Sequence, residues 1–554
     1  MKRFLVFFFF IFFIPTLLSG GYLYEEQLDK GLENSDAYSY FLIEKSRADP
    51  AKAKEMLLAA LRYSPELPAV YFELSKVSFS FSTEGIFQAF AYMTRGVEAY
   101  TKNFWWSFMA AGSLFMSFII SFVISVIIIV LVRLFKDLSL LSHDIMEQKT
   151  RVFLLLILIS ALTGPLLFVG GLLIILGLYM KTRDKAVVYL YLVFLIFLPL
   201  VLKTSSMFLS LPSSDVLKAV VLVNESKDNR YALSVLENAK DDVALFSYAL
   251  ALKREGGYDK AITIYSNLIS EKPDPKVYNN LANCYFAKND MEMAKQLYEK
   301  AVQMKSLVSA YYNLSQVSRV TLDLEKGEEY FLSAQRLDSD AVSRFQAIFG
   351  HNPNRFVIDE VLSIPDIWRY ALGTTIKVSH LGLSAIPLIF SPFISIFFGI
   401  LFYILDSRMK QRAYKCQKCG TVLCTKCEKK ILWGHMCPQC YKTLVNLHEL
   451  DARERITRLQ TVYEHQKRRR RIMNILSFLI PGFSQIYAGD ILRGLLFLWS
   501  FLFFLFVFVV SSMFIAGVPY SSHTWLNWGS IALLVIVYFV SNIMTRRRLA
   551  KGWL

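Results

Sequence analysis

Six of the seven cysteines in this 554-residue chain fall in one stretch, Cys416-x2-Cys419-x4-Cys424-x2-Cys427-x9-Cys437-x2-Cys440. A C-x2-C pair places two thiolates on one tight turn, so two such pairs can surround a metal ion tetrahedrally. Cys416 and Cys419, taken with Cys437 and Cys440, have the separation that one structural Zn²⁺ needs, and Gly420 suits the turn after the first pair. The inner pair, Cys424 and Cys427, lacks evident thiol partners. His435 is its nearest further ligand and His448 a more remote one, which leaves one zinc ion and two cross-braced ions as open alternatives. A closed thiolate site has no vacant position for water, so the chemistry expected is structural, not catalytic. Disulfides would require an oxidising compartment, against which the basic flanks argue. A redox pair would need a thioredoxin-like setting that is absent, and an iron–sulfur cluster has no distinguishing spacing. The seventh cysteine, Cys284, stands where a small core residue belongs and is read as packing.

Over Tyr414–Leu444 this pattern resembles a zinc ribbon or B-box-like module, which implies folding on the metal followed by partner binding. The surroundings are unusual for such a module. Apolar residues make up 54% of the chain and the mean hydropathy is +0.39, too high for an ordinary soluble protein. The excess is concentrated in runs long enough to cross a bilayer as helices. These are Phe108–Val132, Val152–Met180, Ala186–Leu202, Val378–Leu405, Leu495–Phe514 and Trp525–Thr545, none containing Asp, Glu, Lys or Arg. Ion carriers need ionisable groups at depth, so the runs read as anchors.

The net charge of +16 is uneven. Gly21–Ser107 and Ser213–Gly373 are slightly acidic, while the excess lies from Arg408 to Arg471 and in the tail Arg546, Arg547, Arg548 and Lys551. Basic residues beside spans mark the cytoplasmic face. Residues 1–21, Met1-Lys2-Arg3 with the apolar Phe4–Leu18, read as a signal peptide or an uncleaved signal anchor. The expected order is then an extracytoplasmic helical segment at 22–107 and a transmembrane region at 108–205. A re-entrant or tight hairpin at 152–180, broken by Gly164-Pro165, keeps Lys181, Arg183 and Lys185 inside. Residues 213–350 form a second extracytoplasmic array, and 376–405 return the chain inward. The cysteine module at 414–444 is cytoplasmic, followed by a basic juxtamembrane helix at 446–471. That helix is read as contacting anionic lipid head groups, with a solvated helix as the alternative and nucleic acid a distant second.

A helical repeat recurs about every 33 residues. Ala249, Gly256-Gly257-Tyr258, Ala261 and Tyr265 are echoed by Ala282, Asn289-Asp290, Ala294 and Tyr298, then by Leu314, Gly327, Phe331 and Ala334. Across Val243–Ser339 this resembles the tetratricopeptide repeat family, which implies an α-solenoid whose concave face holds a protein or peptide segment. Weaker copies occupy Ala37–Pro65 and Ala69–Tyr100, and Leu217–Lys240 reads as a capping pair. The end of the chain, 472–545, opens with Pro481-Gly482-Phe483-Ser484-Gln485-Ile486-Tyr487-Ala488-Gly489. It resembles bacterial two-helix membrane domains of the P-G-x-x-Q-x-Y-x-G type. Here Gly489 and Gly494 permit close approach, and Gln485, Tyr487 and Asp490 meet a head group or a neighbouring helix.

The combination resembles bacterial multi-pass inner-membrane proteins, and the fold class expected is all-α membrane protein with solenoid segments and a small zinc module. No Ser/His/Asp set, phosphate loop or H-E-x-x-H motif is present, and His143, His351, His380 and His523 stand alone. The expectation is a non-enzymatic envelope scaffold, with a transmembrane signalling protein as the alternative.

Overall fold

The structure, a computed structural model, describes residues 23–148, 157, 158, 160, 161, 164–373, 388–408, 413–416, 418–424, 436–444, 451–511 and 524–550. The signal sequence at 1–21 lies outside these. Among the described residues the fold is all-α apart from one two-stranded ribbon, and the chain divides into two compact units. Among the described residues the first comprises 23–108 and 209–373, the second 109–208, 388–511 and 524–550.

The first unit is built from antiparallel helix pairs. Asp242–Arg254 pairs with Tyr258–Glu271, Pro275–Ala287 with Met291–Met304, and Val308–Val320 with Leu324–Leu337. Ala249, Ala261, Ala282, Ala294, Ala310 and Ala334 are fully buried, because only a methyl group fits where the helices of a pair approach. Aspartates start the helices: Asp241, Asp290, Asp323 and Asp338 each accept a hydrogen bond from the backbone N–H three residues on. The turn within each pair requires one left-handed residue, supplied by Gly256 (φ 86°), Asn289 (φ 64°) and Leu322 (φ 61°). Glycine and asparagine adopt that conformation readily, and leucine does so against its Cβ.

The N-terminal copies form pairs too, Asp36–Ala48 with Ala53–Tyr63 and Pro68–Ser78 with Thr83–Ala99. They belong to the same unit as the later repeats although apolar helices separate the two in sequence. Glu33 and Asn34 donate backbone N–H groups to the Ser226 carbonyl (3.0 and 3.1 Å). The Asn34 amide reaches the Glu225 carbonyl at 2.9 Å, and Lys227 pairs with Asp36 at 2.7 Å.

In the second unit, four helices among the described residues are long and apolar enough to cross a membrane. They are Phe104–Asp144 (whose first residues belong to the repeat unit), Ser391–Arg408, Ile491–Ser511 and Leu526–Ala550. The first belongs to a helix running to Gln148, well past Val132, where the apolar run ends. The expected span Ala186–Leu202 is instead two helices, Ala186–Ile196 and Leu198–Ser210, bent by 60°. Pro199 explains the break, since it lacks an N–H and its ring clashes with the carbonyl four residues back. The described helix of the 152–180 run is Pro165–Gly177, 13 residues or about 20 Å, too short to cross alone. Helix Ala452–Leu479 runs unbroken through residue 471, where charge gives way to apolarity. No Pro or Gly stands there to end it.

The terminal hairpin shows why its glycines are needed. Gly482 (φ 86°) and Gly489 (φ 91°) flank the short helix Phe483–Ala488 in left-handed conformations. A Cβ on Gly494 would lie 2.5 Å from the Ile486 side chain and 2.9 Å from the Gly482 carbonyl. Gln485 is buried and donates to Thr545 Oγ1 at 2.8 Å, so its partner is the neighbouring helix. Asp490 likewise pairs with Arg493 and Arg548.

Candidate metal centre and peptide groove

Strands Tyr414–Lys415 and Val422–Leu423 pair antiparallel, Tyr414 opposite Leu423 and Lys415 opposite Val422. The turn between them carries Cys416 and Cys419. It closes through Gly420 N–H to the Cys416 carbonyl (3.0 Å), with Gly420 left-handed at φ 81°. A Cβ there would lie 2.5 Å from His465 Nε2 on the 452–479 helix, so the turn is packed as well as tight. Cys437 precedes the short helix Pro438–Leu444, which carries Cys440.

The ligand atoms of Cys416, Cys419, Cys437 and Cys440 lie within 4.8 Å of one another, and Cys419 Sγ is 3.7 Å from Cys437 Sγ. Four sulfurs about 2.3 Å from a tetrahedral ion stand about 3.8 Å apart, so this spacing fits a bound metal. Backbone amides point at the sulfurs: Cys437 N–H donates to Cys416 Sγ (3.3 Å) and Cys440 N–H to Cys437 Sγ (3.2 Å). Burial works against the Cys416 thiolate, but the amides of Cys419, Cys437 and Lys418 outweigh it and bring that thiol down to about 7. Burial pushes Cys437 up to about 11 and raises Cys440 further. A bound cation would favour the thiolate form of all four, since metal ligation requires the deprotonated sulfur. Cys424 is buried and is not one of the four clustered sulfurs. Cys427, His435 and His448 lie outside the described residues.

Beside the ribbon is a cavity of about 1040 Å³ whose wall includes Lys181, Arg183, Lys415, Arg468, Arg469 and Arg548. Two acids, Asp184 and Asp490, line it as well. Cation outweighs anion there, and the hairpin residue Tyr487 contributes to the same wall.

The repeat unit has its own site. Buried asparagines project from the first helices of successive pairs, and Asn279 and Asn313 stand 34 residues apart, one repeat period. They grip a segment of this same chain, Val357–Leu362. The Ile358 carbonyl accepts from the amides of Asn279 (3.0 Å), Asn283 (3.1 Å) and Asn313 (2.9 Å), while Ile358 N–H donates to Asn313 Oδ1 (2.7 Å). Glu360 exchanges two bonds with Asn280, and Leu362 N–H donates to Asn224 Oδ1 (2.8 Å). Asp359 meets Lys253 at 2.9 Å and Arg254 at 3.2 Å. Burial disfavours its carboxylate, yet the two cations hold it below the ordinary value. None of these asparagines belongs to the alanine, glycine and tyrosine signature of the repeats. The signal available was a polar residue recurring at the repeat period on the inward face.

Residues 275–306 match the tetratricopeptide repeat family model. The match covers the pair Pro275–Ala287 and Met291–Met304, which carries Asn279, Asn280 and Asn283. No curated protein matches the chain.

Proposed function

We propose that this chain is a membrane-anchored, non-enzymatic protein-interaction scaffold of the bacterial envelope. The tetratricopeptide unit would hold a protein or peptide on the extracytoplasmic side of the inner membrane. The cysteine module, closed around Zn²⁺ by Cys416, Cys419, Cys437 and Cys440, would hold a cytoplasmic one. When bound, the ion supplies a structural cross-link between the ribbon and the 438–444 helix. The observation that carries this reading is the union, on one chain, of a peptide-gripping repeat unit, a metal-fitting thiol quartet and helices apolar enough to span a bilayer. Anionic lipid head groups are the partners that the basic wall around Arg468 and Arg469 favours.

Crosslinking from membranes with and without the repeats tests the scaffold, and unchanged partners after deletion would count against it. Reporter fusions at Ala60, Lys300 and Lys430 test sidedness: the first two are expected to report the exterior and the third the cytoplasm. A second reading, a signalling protein that relays repeat occupancy, is favoured by one observation. The groove's occupant precedes the apolar helix Ser391–Arg408 in the chain, with the helix Ile364–Gly373 between them. Identical labelling of the cysteine module with the groove filled and emptied would remove that reading.

A further inference from the structure

Building on the reading of the repeats as a protein-interaction surface, we infer that their groove recognises extended segments of the pattern apolar–Asp–acidic–apolar, and that Val357–Leu362 fills it in cis as a stand-in for such a partner. The code can be read from the occupant. Backbone groups of Ile358, Glu360 and Leu362, every second residue, are bound by asparagine amides, which demands an extended chain but no particular side chain. Specificity comes from between them. The Asp359 side chain enters a pocket where Lys253 Nζ, Arg254 Nε and Asn283 Nδ2 converge on its two oxygens. Lys253 is fully buried, and a neutral side chain in place of Asp359 would leave its charge without a counter-ion. At the next position Ser309 Oγ donates to Glu360 Oε1 at 2.5 Å. Lys276 donates to the Val361 carbonyl at 3.0 Å, and Val357 is buried among apolar side chains of the repeats.

A groove that only needed filling would be lined with apolar side chains. This one presents five asparagines and Lys276 to a single backbone, with Lys253 and Arg254 on its Asp359 side chain, the equipment of a ligand site. Tethering gives the occupant an effective concentration on the order of millimolar, so a partner of equal intrinsic affinity binds far more weakly until the segment lets go.

The test uses the full-length protein in detergent micelles and a fluorescent peptide of sequence Phe356–Ser363. Wild type is expected to bind it at least tenfold more weakly than Asp359→Lys, in which the tethered segment is repelled by Lys253 and Arg254. Cutting the chain at a protease site inserted after Gly350 gives a milder release after folding is complete, and is expected to tighten peptide binding to an intermediate level. The same peptide carrying Asn for Asp is expected to bind none of the three. Equal binding by wild type and Asp359→Lys would overturn the inference, as would no binding by both the cut protein and Asp359→Lys. If the peptide fails on both but crosslinking to the repeats persists in membranes, the groove assignment falls while the scaffold reading stands. If crosslinking is also independent of the repeats, both fall.

Discussion

Neutralising Asp359 with minimal change of shape, Asp359→Asn, isolates the charge that docks the segment. Lys253 has two acceptors, Asp359 Oδ1 and Asn354 Oδ1, and its side chain is fully buried. Arg254 is better supplied, since it also donates to the Val223 carbonyl and to Ser226 Oγ. The cost should therefore come mainly from Lys253, left without its counter-ion. Breaking a buried pair costs about 3–5 kcal/mol, and the remaining acceptors argue for the lower end. Three kcal/mol is about a hundredfold in an opening equilibrium. The reporters are the Ile358, Glu360 and Leu362 amides, each bonded to an asparagine. Their hydrogen exchange in Asp359→Asn should accelerate about a hundredfold, while amides in the 291–304 helix hold. Adding Lys253→Met removes the orphaned charge and should restore at least tenfold of the protection. The pH dependence has the same sign. Because the carboxyl of Asp359 is held below its ordinary value, docking is stable above that value and is lost only as pH falls through the depressed one, below about pH 4. Exchange within threefold of wild type, or release of the segment at pH 6, would refute the argument.

Other perturbations follow from single residues. Burial, with Glu33 and Glu225 nearby, pushes the Glu66 carboxyl up to about 7. A raised acid is neutral and unpenalised below its unfolded value, so the cost of ionising it develops between about pH 4.5 and 7. Glu66→Gln should stabilise the repeat unit at pH 8 by on the order of 1–2 kcal/mol and leave it unchanged at pH 4, as read by thermal melting. Leu322 is exposed and left-handed, so Leu322→Gly should raise stability by up to about 1 kcal/mol, and a loss would show that its side chain packs. Cys437→Ser should abolish stoichiometric zinc in protein purified under reduction, whereas Cys424→Ser should retain one ion per chain, measured by elemental analysis. Gly494→Ala drives a methyl into Ile486 and the Gly482 carbonyl, and should cost the terminal hairpin about 1–3 kcal/mol.

Features written in local spacing are legible in the sequence. Two C-x2-C pairs state their own geometry, because each fixes two thiols on one turn, and the quartet assembles with the sulfur separations a tetrahedral ion needs. The repeats were readable for a similar reason: alanines and tyrosines recur at the helix-pair period because each pair solves the same packing problem. The bend at Pro199 was foreseeable from backbone chemistry, yet apolarity alone made Ala186–Leu202 look like one rod.

The groove's occupant was not legible, and the reason is physical. Recognition of Val357–Leu362 is carried by main-chain groups, and a main chain looks alike in every sequence. Asn279 and Asn283 meet Ile358 only after some 75 residues of intervening fold have brought them together. Asn34 meets Glu225 across 191 residues. Even so, the asparagines carry a clue in their cost. An inward amide in a helical repeat is expensive unless something satisfies it, so four on neighbouring helices imply that a backbone must arrive to accept and donate. In this chain the backbone that arrives is its own, and of the two carboxylates it brings, that of Asp359 is the group that Lys253 and Arg254 are built to meet.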